Sequence, residues 1–345
     1  MGLNIREIVS REEIDFSDIK GKTVCVDAFN TLYQFLSTIR QADGTPLQDE
    51  DGNITSHLSG ILYRSVALLN EGVKLVYVFD GEPPELKAKI HKKRTAAREL
   101  AQEKYDEAKQ GEDIAGMKRY GQQLTRLDDD MINESKELLE ALGIAVVQAP
   151  GEGEAQAAYL CKQEGIYAAV SQDYDSLIFG STVLIRNLTL SRKKKTSSGY
   201  VEVKPEKIIL KNMLEELGIN QDQLICLAVL VGTDYNPKGI PRIGQKKALA
   251  LVKEFVTPEE IFASVKDKID ALSEEDYFDW QEIFSLFKAP KVNDSEIIFP
   301  EINTEKIKEI LVTRHGFYEE RIDKQIEKLG AVLKAKQQKS LDKWF

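Results

Sequence analysis

The sequence predicts an α/β fold in which a mostly parallel central sheet is flanked by helices on both faces. The first observation is a series of short apolar, partly β-branched runs: Thr23-Val24-Cys25-Val26, Leu75-Val76-Tyr77-Val78-Phe79, Ala145-Val146-Val147-Gln148, Ala168-Ala169-Val170-Ser171 and Val183-Leu184-Ile185. The second is what separates them: residues 30–40, 56–70, 132–142 and 154–163 carry apolar side chains at helical spacing. Parallel strands need a crossover, usually a helix, and strands covered on both faces read as continuous apolar runs rather than alternating ones. The third is Gly143 just ahead of Ile144, a helix C-cap that passes the chain into a strand.

With 345 residues, 30% charged and 42% hydrophobic, the chain has the length of one large domain or two ordinary ones and is neither disordered nor fibrous. No apolar stretch approaches the ~18 residues of a membrane span. The opening Met1-Gly2-Leu3-Asn4-Ile5-Arg6 lacks the apolar core and cleavage site of a secretory signal. The protein is therefore expected to stay where it is made, without a membrane partner. Cys25, Cys161 and Cys226, and His57, His91 and His315, are scattered, which excludes a thiolate or histidine zinc motif and argues against a disulfide framework.

The formal charge of -10, from 47 Lys plus Arg and 57 Asp plus Glu, speaks against a nucleic-acid partner only if the signs are mixed. They are segregated. Lys87, Lys89, Lys92, Lys93, Arg94 and Arg98 crowd one segment and Arg192-Lys193-Lys194-Lys195 another, while Asp128-Asp129-Asp130 and Ser273-Glu274-Glu275-Asp276 are acidic. A locally basic surface is compatible with an acidic whole. After Pro83-Pro84 a charged, helix-favouring stretch runs to about Asp130, too polar for a core helix and readable as a solvated helical hairpin. Beyond Asp234 the chain becomes largely helical, with Gly- and Pro-rich loops at 236–244 and a polar tail from Lys334.

The carboxylates carry the most information, because nearly every strand-like run ends in one. Asp27 follows Val24-Cys25-Val26, Asp80 follows Val76-Tyr77-Val78-Phe79, Glu152 and Glu154 follow the third run, and Asp173 and Asp175 the fourth. In an open parallel sheet the ligand site lies beyond the carboxyl ends of the strands, so these acids converge on one crevice. Each alone has a bland alternative, since Asp after a strand is a common helix N-cap. Together they would repel unless cations lay between them. With no His or Cys nearby, the site asks for hard divalent cations, Mg²⁺ with substrate phosphate, and two ions. Gly232-Thr233-Asp234 supplies a seventh acid.

Three further features fit that chemistry. On a helix starting after Pro84, Lys87, His91, Arg94 and Arg98 share one face; its first turns would hang over the crevice, where Lys87 and Arg94 could hold a phosphodiester. Gly239-Ile240-Pro241-Arg242-Ile243-Gly244 leads into a helix start followed by Lys246 and Lys247, a backbone-amide site for a duplex phosphate or an ordinary tight turn. The ending Gln338-Lys339-Ser340-Leu341-Asp342-Lys343-Trp344-Phe345 places two large aromatics beyond any core, as in a docking motif.

Taken together, Val26-Asp27-Ala28-Phe29-Asn30, Val78-Phe79-Asp80-Gly81-Glu82-Pro83-Pro84, Ala149-Pro150-Gly151-Glu152-Gly153-Glu154-Ala155, Ser171-Gln172-Asp173-Tyr174-Asp175, Gly232-Thr233-Asp234-Tyr235 and the terminal aromatics resemble a flap endonuclease of the archaeal and eukaryotic kind, a structure-specific 5′ nuclease. The resemblance spans essentially the whole chain. It implies a Mg²⁺-dependent phosphodiesterase that cuts 5′ single-stranded DNA flaps at their junction with duplex, with 5′-3′ exonuclease activity, in replication and repair. It implies a helical arch over the active site at about 82–130 and a helix-two-turn-helix at 238–247, often with K⁺. The metal acids would be Asp27, Asp80, Glu152, Glu154, Asp173, Asp175 and Asp234, with two Mg²⁺ among them, and Lys87 and Arg94 the catalytic basic pair. DNA contacts would come from Gly2, Tyr33, Arg40, Arg64, Gly239, Ile240, Gly244, Lys246 and Lys247, and Tyr33 alternatively reads as a core aromatic. Gln338, Leu341, Trp344 and Phe345 would bind the sliding clamp PCNA. The implied organisation is a single nuclease domain over 1–335, made of an N-terminal region 1–105, the arch, an internal region at about 120–255 and a helical part 256–335, followed by the tail 336–345. Three positions depart from the family pattern: Arg242 stands where Gly is common, Gly151 where Ser is usual, and Trp344-Phe345 where two Phe are usual.

The expected mechanism is two-metal phosphodiester hydrolysis, with a near set Asp80, Glu152 and Glu154 and a far set Asp173, Asp175 and Asp234. A non-catalytic, clamp-tethered binder of branched DNA would not need the acids. A nucleophilic-aspartate phosphatase would want an acid two residues after Asp27, where Phe29 stands. The expected state off the clamp is a monomer. The lack of a long basic extension after the tail favours an archaeal, cytoplasmic, DNA-associated enzyme over a nuclear one.

Overall fold

Nine strands are present among the described residues: β1 (Glu12–Glu13), β2 (Thr23–Asp27), β3 (Lys74–Phe79), β4 (Ala145–Gln148), β5 (Ile166–Val170), β6 (Val183–Arg186), β7 (Lys193–Thr196), β8 (Gly199–Glu202) and β9 (Glu206–Ile209). This computed structural model describes residues 3–84, 86–111, 113–124, 126–190, 193–196 and 199–341, with backbone alone at 88–98, 114, 118, 122–123, 193–196, 200 and 331–341. Seven strands form one sheet in the order β1-β9-β6-β5-β2-β3-β4, and β7 and β8 pair separately. The pairs β2–β3, β2–β5, β3–β4 and β5–β6 are parallel, while β9 runs antiparallel to β6 and β1 antiparallel to β9.

The five parallel strands are the five apolar runs of the sequence. Their side chains alternate between two layers, as a pleated strand requires. Val24, Val26, Leu75, Tyr77, Phe79 and Val170 enter one core, which is covered by the helices Ala28–Thr38 and Asp129–Ala141 and the continuous helical run 56–70. Cys25, Val76, Val78 and Ala169 face the other way, against Ala157, Leu160 and Cys161 of the helix Gly153–Leu160 and its end. A third core joins that helix to the helical C-terminal part, which includes Gln221–Val231, Gln245–Glu254 and Trp280–Lys288. In the sheet order, the chain leaves β2 to one side for β3 and β4, then returns to β5 on the other side. The carboxyl ends of β2 and β5 thus flank a topological switch point, where open parallel sheets bind ligands.

The charged stretch after Pro84 forms two helices, Lys87–Gln110 and Ile114–Gln123, packed as a hairpin. Its turn is made by Gly111 as C-cap and by Asp113, whose side chain accepts the Gly116 N–H at 3.0 Å. Buried Ala101 and Ala108 supply small side chains within the first helix of the pair. The last helix runs Glu319–Leu341, so the expected start of the tail at 336 falls inside it; the Lys, Ala and Gln residues there favour helix and do not break it. No helix of the described residues is long and apolar enough to cross a membrane.

One core residue has a pH consequence. His57 is fully buried, and neither ring nitrogen has a hydrogen-bond partner among the described residues. Burial, then the charge of His315, push its pKa down to about 4, with Asp128 opposing. Between the ordinary ~6.5 and about 4 the unfolded chain takes up a proton that the folded chain refuses. Stability is therefore lost as pH falls through that window, by about 3 kcal/mol at ~1.4 kcal/mol per pH unit. Melting curves from pH 7 to 4.5 should show a shallower acid decline for His57→Leu than for wild type, and parallel declines would refute this.

Candidate active site

The predicted acids lie at or just beyond the carboxyl ends of strands, at the start of the helix Gly153–Leu160, or just after a helix, and Asp27, Asp80, Glu152, Glu154, Asp173 and Asp175 each accept a hydrogen bond. Asp27 ends β2 and caps the helix after it, accepting the Asn30 N–H at 3.1 Å, so the N-cap role and a place in the crevice coincide. Asp80, just past β3, accepts the Gly153 N–H at 2.7 Å. Glu152 caps Gly153–Leu160, and Glu154 in its first turn accepts the Ser171 hydroxyl at 2.8 Å. Asp173 accepts Asn30 Nδ2 at 2.7 Å and Asp175 the Leu3 N–H at 2.8 Å. Asp234 follows Gly232, whose φ of +122° turns the chain out of Gln221–Val231.

Gly153 is dictated by this packing. A Cβ there would stand 2.7 Å from Asp80 Oδ1 and 3.1 Å from the Val78 carbonyl, so the carboxylate can reach the helix start only over a bare Cα. Gly153→Ala should leave the fold intact but cut cleavage by about tenfold to a hundredfold, as displacement of an outer-sphere support does. Steady-state cleavage beside circular dichroism checks this, and wild-type rates would contradict it.

The seven acids form one electrostatic group. Asp27 feels Asp80 and Asp173. Asp80 feels Glu152 and Asp234, Glu154 feels Asp175, Asp27 and Asp173, and Asp175 feels Asp173, Asp234 and Glu152. Burial first, then these neighbours, push Asp27 up to about 8 and Asp175 up to about 7, and hold Glu154 well above the carboxylate range. Asp80 and Asp173 are raised for the same leading reason. Carboxyls that keep protons near neutral pH in an all-oxygen crevice are a donor set suited to hard divalent cations, which would replace those protons. As they stand, no three His, Cys, Asp or Glu side chains among the described residues are grouped closely enough to hold a metal ion.

The charge interactions run across the expected near and far sets. Glu154 feels Asp175, Asp27 and Asp173, and Asp234 is felt by both Asp80 and Asp175. Glu152 is the N-cap and Glu154 a first-turn residue of one helix, so the two carboxylates leave it in different directions.

Lys87 opens the first hairpin helix and forms an ion pair with Glu152 Oε1. Burial disfavours its charge, yet Glu152, Asp234 and Asp80 hold its pKa above the usual lysine value. The base of the hairpin thus meets the acid crevice, as the spacing from Asp80 predicts. Arg94 lies in the same helix, and its side chain is outside the described residues, as are Gly2, Trp344, Phe345 and the side chains of Gln338 and Leu341.

The predicted DNA contacts are dispersed. Tyr33 is half-buried against the core. The Arg40 guanidinium donates to the Gly44 carbonyl at 2.9 Å, and Arg64 is half-buried, with burial lowering the pKa of both. At the turn, Gly239 has φ +56° and a Cβ there would lie 2.2 Å from the Val231 carbonyl oxygen, while the N–H of buried Ile240 donates to Leu230 O at 2.9 Å. Arg242 holds the left-handed φ of +65° that a glycine would adopt freely. Gly244 is the exposed N-cap of Gln245–Glu254; Lys247 is exposed, and Lys246 lies 3.9 Å from Glu7 in a solvated pair worth little. Sequence reasoning left three residues of the site without a role: Asn30, which bridges Asp27 and Asp173, Ser171 on Glu154, and Tyr235, whose hydroxyl donates to Glu152 Oε2. All three stood inside the quoted motifs.

Comparison with known proteins agrees with this geometry. Residues 3–101 match the XPG N-terminal domain and residues 143–234 the XPG I-region. Over 348 residues the chain is 46% identical to Flap endonuclease 1 of Thermococcus onnurineus, covering 100% of this chain and 99% of that protein. It is similar in structure to flap endonuclease-1 from Methanococcus jannaschii, with a TM-score of 0.75, 37% identity and coverage of 97% of this chain and 100% of that one. The catalytic core of Rad2 in complex with DNA substrate shares the fold at a TM-score of 0.69 and 22% identity, over 95% of this chain and 100% of that one. With full-length identity of this order and acids meeting beyond the sheet, the chain belongs to the flap endonuclease family of structure-specific 5′ nucleases.

Proposed function

We propose that this chain cleaves 5′ single-stranded DNA flaps at their junction with duplex, in replication and repair, by two-metal phosphodiester hydrolysis with Mg²⁺. The observation that carries it is the single electrostatic group formed by Asp27, Asp80, Glu152, Glu154, Asp173, Asp175 and Asp234 at the switch point of the sheet. Bound among these acids, the ions would supply a nucleophilic water near neutral pH and positive charge at the scissile phosphate. The protein supplies the rest. Lys87, paired with Glu152 at the foot of the hairpin, would exchange that carboxylate for a phosphate oxygen, and Arg94 follows seven residues on, two turns along the same helix.

Away from the crevice, the amides that start Gln245–Glu254 beyond Gly244, which offers no side-chain cap, together with Lys246 and Lys247 suit a duplex phosphate without reading sequence. A K⁺ ion at this turn belongs to the proposal, because Arg242 keeps the backbone conformation of the more usual glycine. The residues Gln338, Leu341, Trp344 and Phe345 are proposed to tether an otherwise monomeric, DNA-associated enzyme to the sliding clamp. The test is a denaturing gel of a 5′-labelled single-flap duplex with Mg²⁺ or EDTA, beside single-stranded and nicked-duplex controls. One Mg²⁺-dependent product cut at the junction is expected. Binding without cleavage in any divalent metal would leave a clamp-tethered junction binder instead.

A further inference from the structure

We infer that Tyr235 is a positioning residue of the nuclease reaction. Its hydroxyl fixes the Glu152 carboxylate so that the second oxygen is turned to a cation, the Lys87 ammonium here and a divalent ion in the loaded site. This deepens the proposed function and rests on Glu152 being a metal ligand.

The two oxygens of Glu152 have separate partners, the Tyr235 hydroxyl on Oε2 and Lys87 on Oε1. What holds the phenol in place comes from outside the acid crevice. Its ring is 8% exposed and packs edge-on to Phe287 at 5.4 Å, and Phe287 in turn lies 4.9 Å from Phe179. Its backbone belongs to a laced turn: the Tyr235 N–H donates to Thr233 Oγ1 at 3.1 Å, Thr233 Oγ1 to Asn236 Oδ1 at 2.7 Å, and Asn236 Nδ2 to the Val229 carbonyl at 2.7 Å. The Trp280–Lys288 helix and the end of Gln221–Val231 therefore aim the hydroxyl, and Glu152 accepts the direction it is offered.

The chemistry keeps that direction constant. A phenol ordinarily ionises only near pH ~10, and with its hydroxyl on Glu152 Oε2 Tyr235 acts as a donor to the carboxylate rather than as a ligand. A donor on one oxygen of a ligating carboxylate fixes its rotamer, and losing such a partner typically costs ~10- to 100-fold in metal affinity or activity. The same ring also receives Lys87, whose Nζ stands 5.6 Å from its centroid. One side chain thus links the metal carboxylate to the first residue of the hairpin. Below them a cleft of about 400 Å³, lined in part by Leu86, Glu152, Phe179, Tyr235 and Leu286, lies at the same junction.

The test is Tyr235→Phe, which deletes the hydroxyl and keeps the ring. Mn²⁺ is titrated calorimetrically into the DNA-free full-length chain, and the Mg²⁺ dependence of single-turnover flap cleavage is measured alongside. Expected are about tenfold or greater loss of Mn²⁺ affinity, a parallel rise in half-saturating Mg²⁺, and unchanged flap affinity in Ca²⁺. Glu152→Gln is run as the reference. If Glu152→Gln weakens Mn²⁺ binding and Tyr235→Phe does not, whatever its melting temperature, the positioning role is overturned. If Glu152→Gln itself binds Mn²⁺ as wild type does, Glu152 is not a ligand, and the assignment of the acids falls together with this inference.

Discussion

Asp80→Ala is expected to reduce flap cleavage by about 10³-fold or more, some 4 kcal/mol of transition-state stabilisation at ~1.4 kcal/mol per decade, while flap affinity measured in Ca²⁺ stays near wild type. The residue feels Glu152, Asp234 and Lys87 and joins β3 to the start of Gly153–Leu160, so its loss removes charge where Glu152, Asp234 and the phosphate must share an ion. Removing one of several mutually repelling carboxylates relieves strain in the metal-free protein, which is why the fold should survive. Gel cleavage and fluorescence-anisotropy binding on the same preparation decide it. Cleavage at the wild-type rate would overturn the metal assignment, and loss of binding in step with cleavage would mean that Asp80 holds DNA rather than metal.

Lys87→Met should lower the single-turnover rate by ~10²- to 10³-fold, the scale for removing one preorganised donor to developing charge, with little change in the DNA dissociation constant. Met retains the length of the buried stem, so packing against Tyr235 persists and the ammonium alone is deleted. In the absence of DNA that ammonium neutralises part of the Glu152–Asp234–Asp80 field. The variant should therefore bind Mn²⁺ at least as tightly as wild type while cleaving far more slowly. A rate within threefold of wild type, or weaker Mn²⁺ binding, would contradict a role at the phosphate.

The parallel strands β2 to β6 were legible because strands buried on both faces need continuous apolar runs. The antiparallel strands were not: β1, at the sheet edge, is Glu12–Glu13 and β7, in the separate two-stranded sheet, is Lys193–Thr196, segments with no apolar pattern whose strand state comes from a partner supplied by the fold. The acids were legible one strand at a time, since each ends an apolar run. Their grouping was not, because Glu152 and Glu154 diverge from one helix start and only the folded chain shows which neighbour each meets. Asn30 and Tyr235 escaped for a related reason: they act through other residues, and sequence spacing carries no record of a hydrogen bond across 143 or 83 positions. Arg242 stood out as a departure from the family pattern, and its left-handed backbone accounts for the glycine that is usual there.

Whether the seven carboxylates at the switch point hold the ions that cleave DNA is decided by anomalous diffraction from crystals of the full-length chain soaked in Mn²⁺ with a flap duplex bound. Two Mn²⁺ peaks about 4 Å apart are expected, one beside Asp80 and Glu152 and one beside Asp173 and Asp175, with Lys87 moved from Glu152 onto the phosphate. Peaks outside this crevice, or Lys87 still paired with Glu152 across a metal-free site, would contradict that role for the carboxylates.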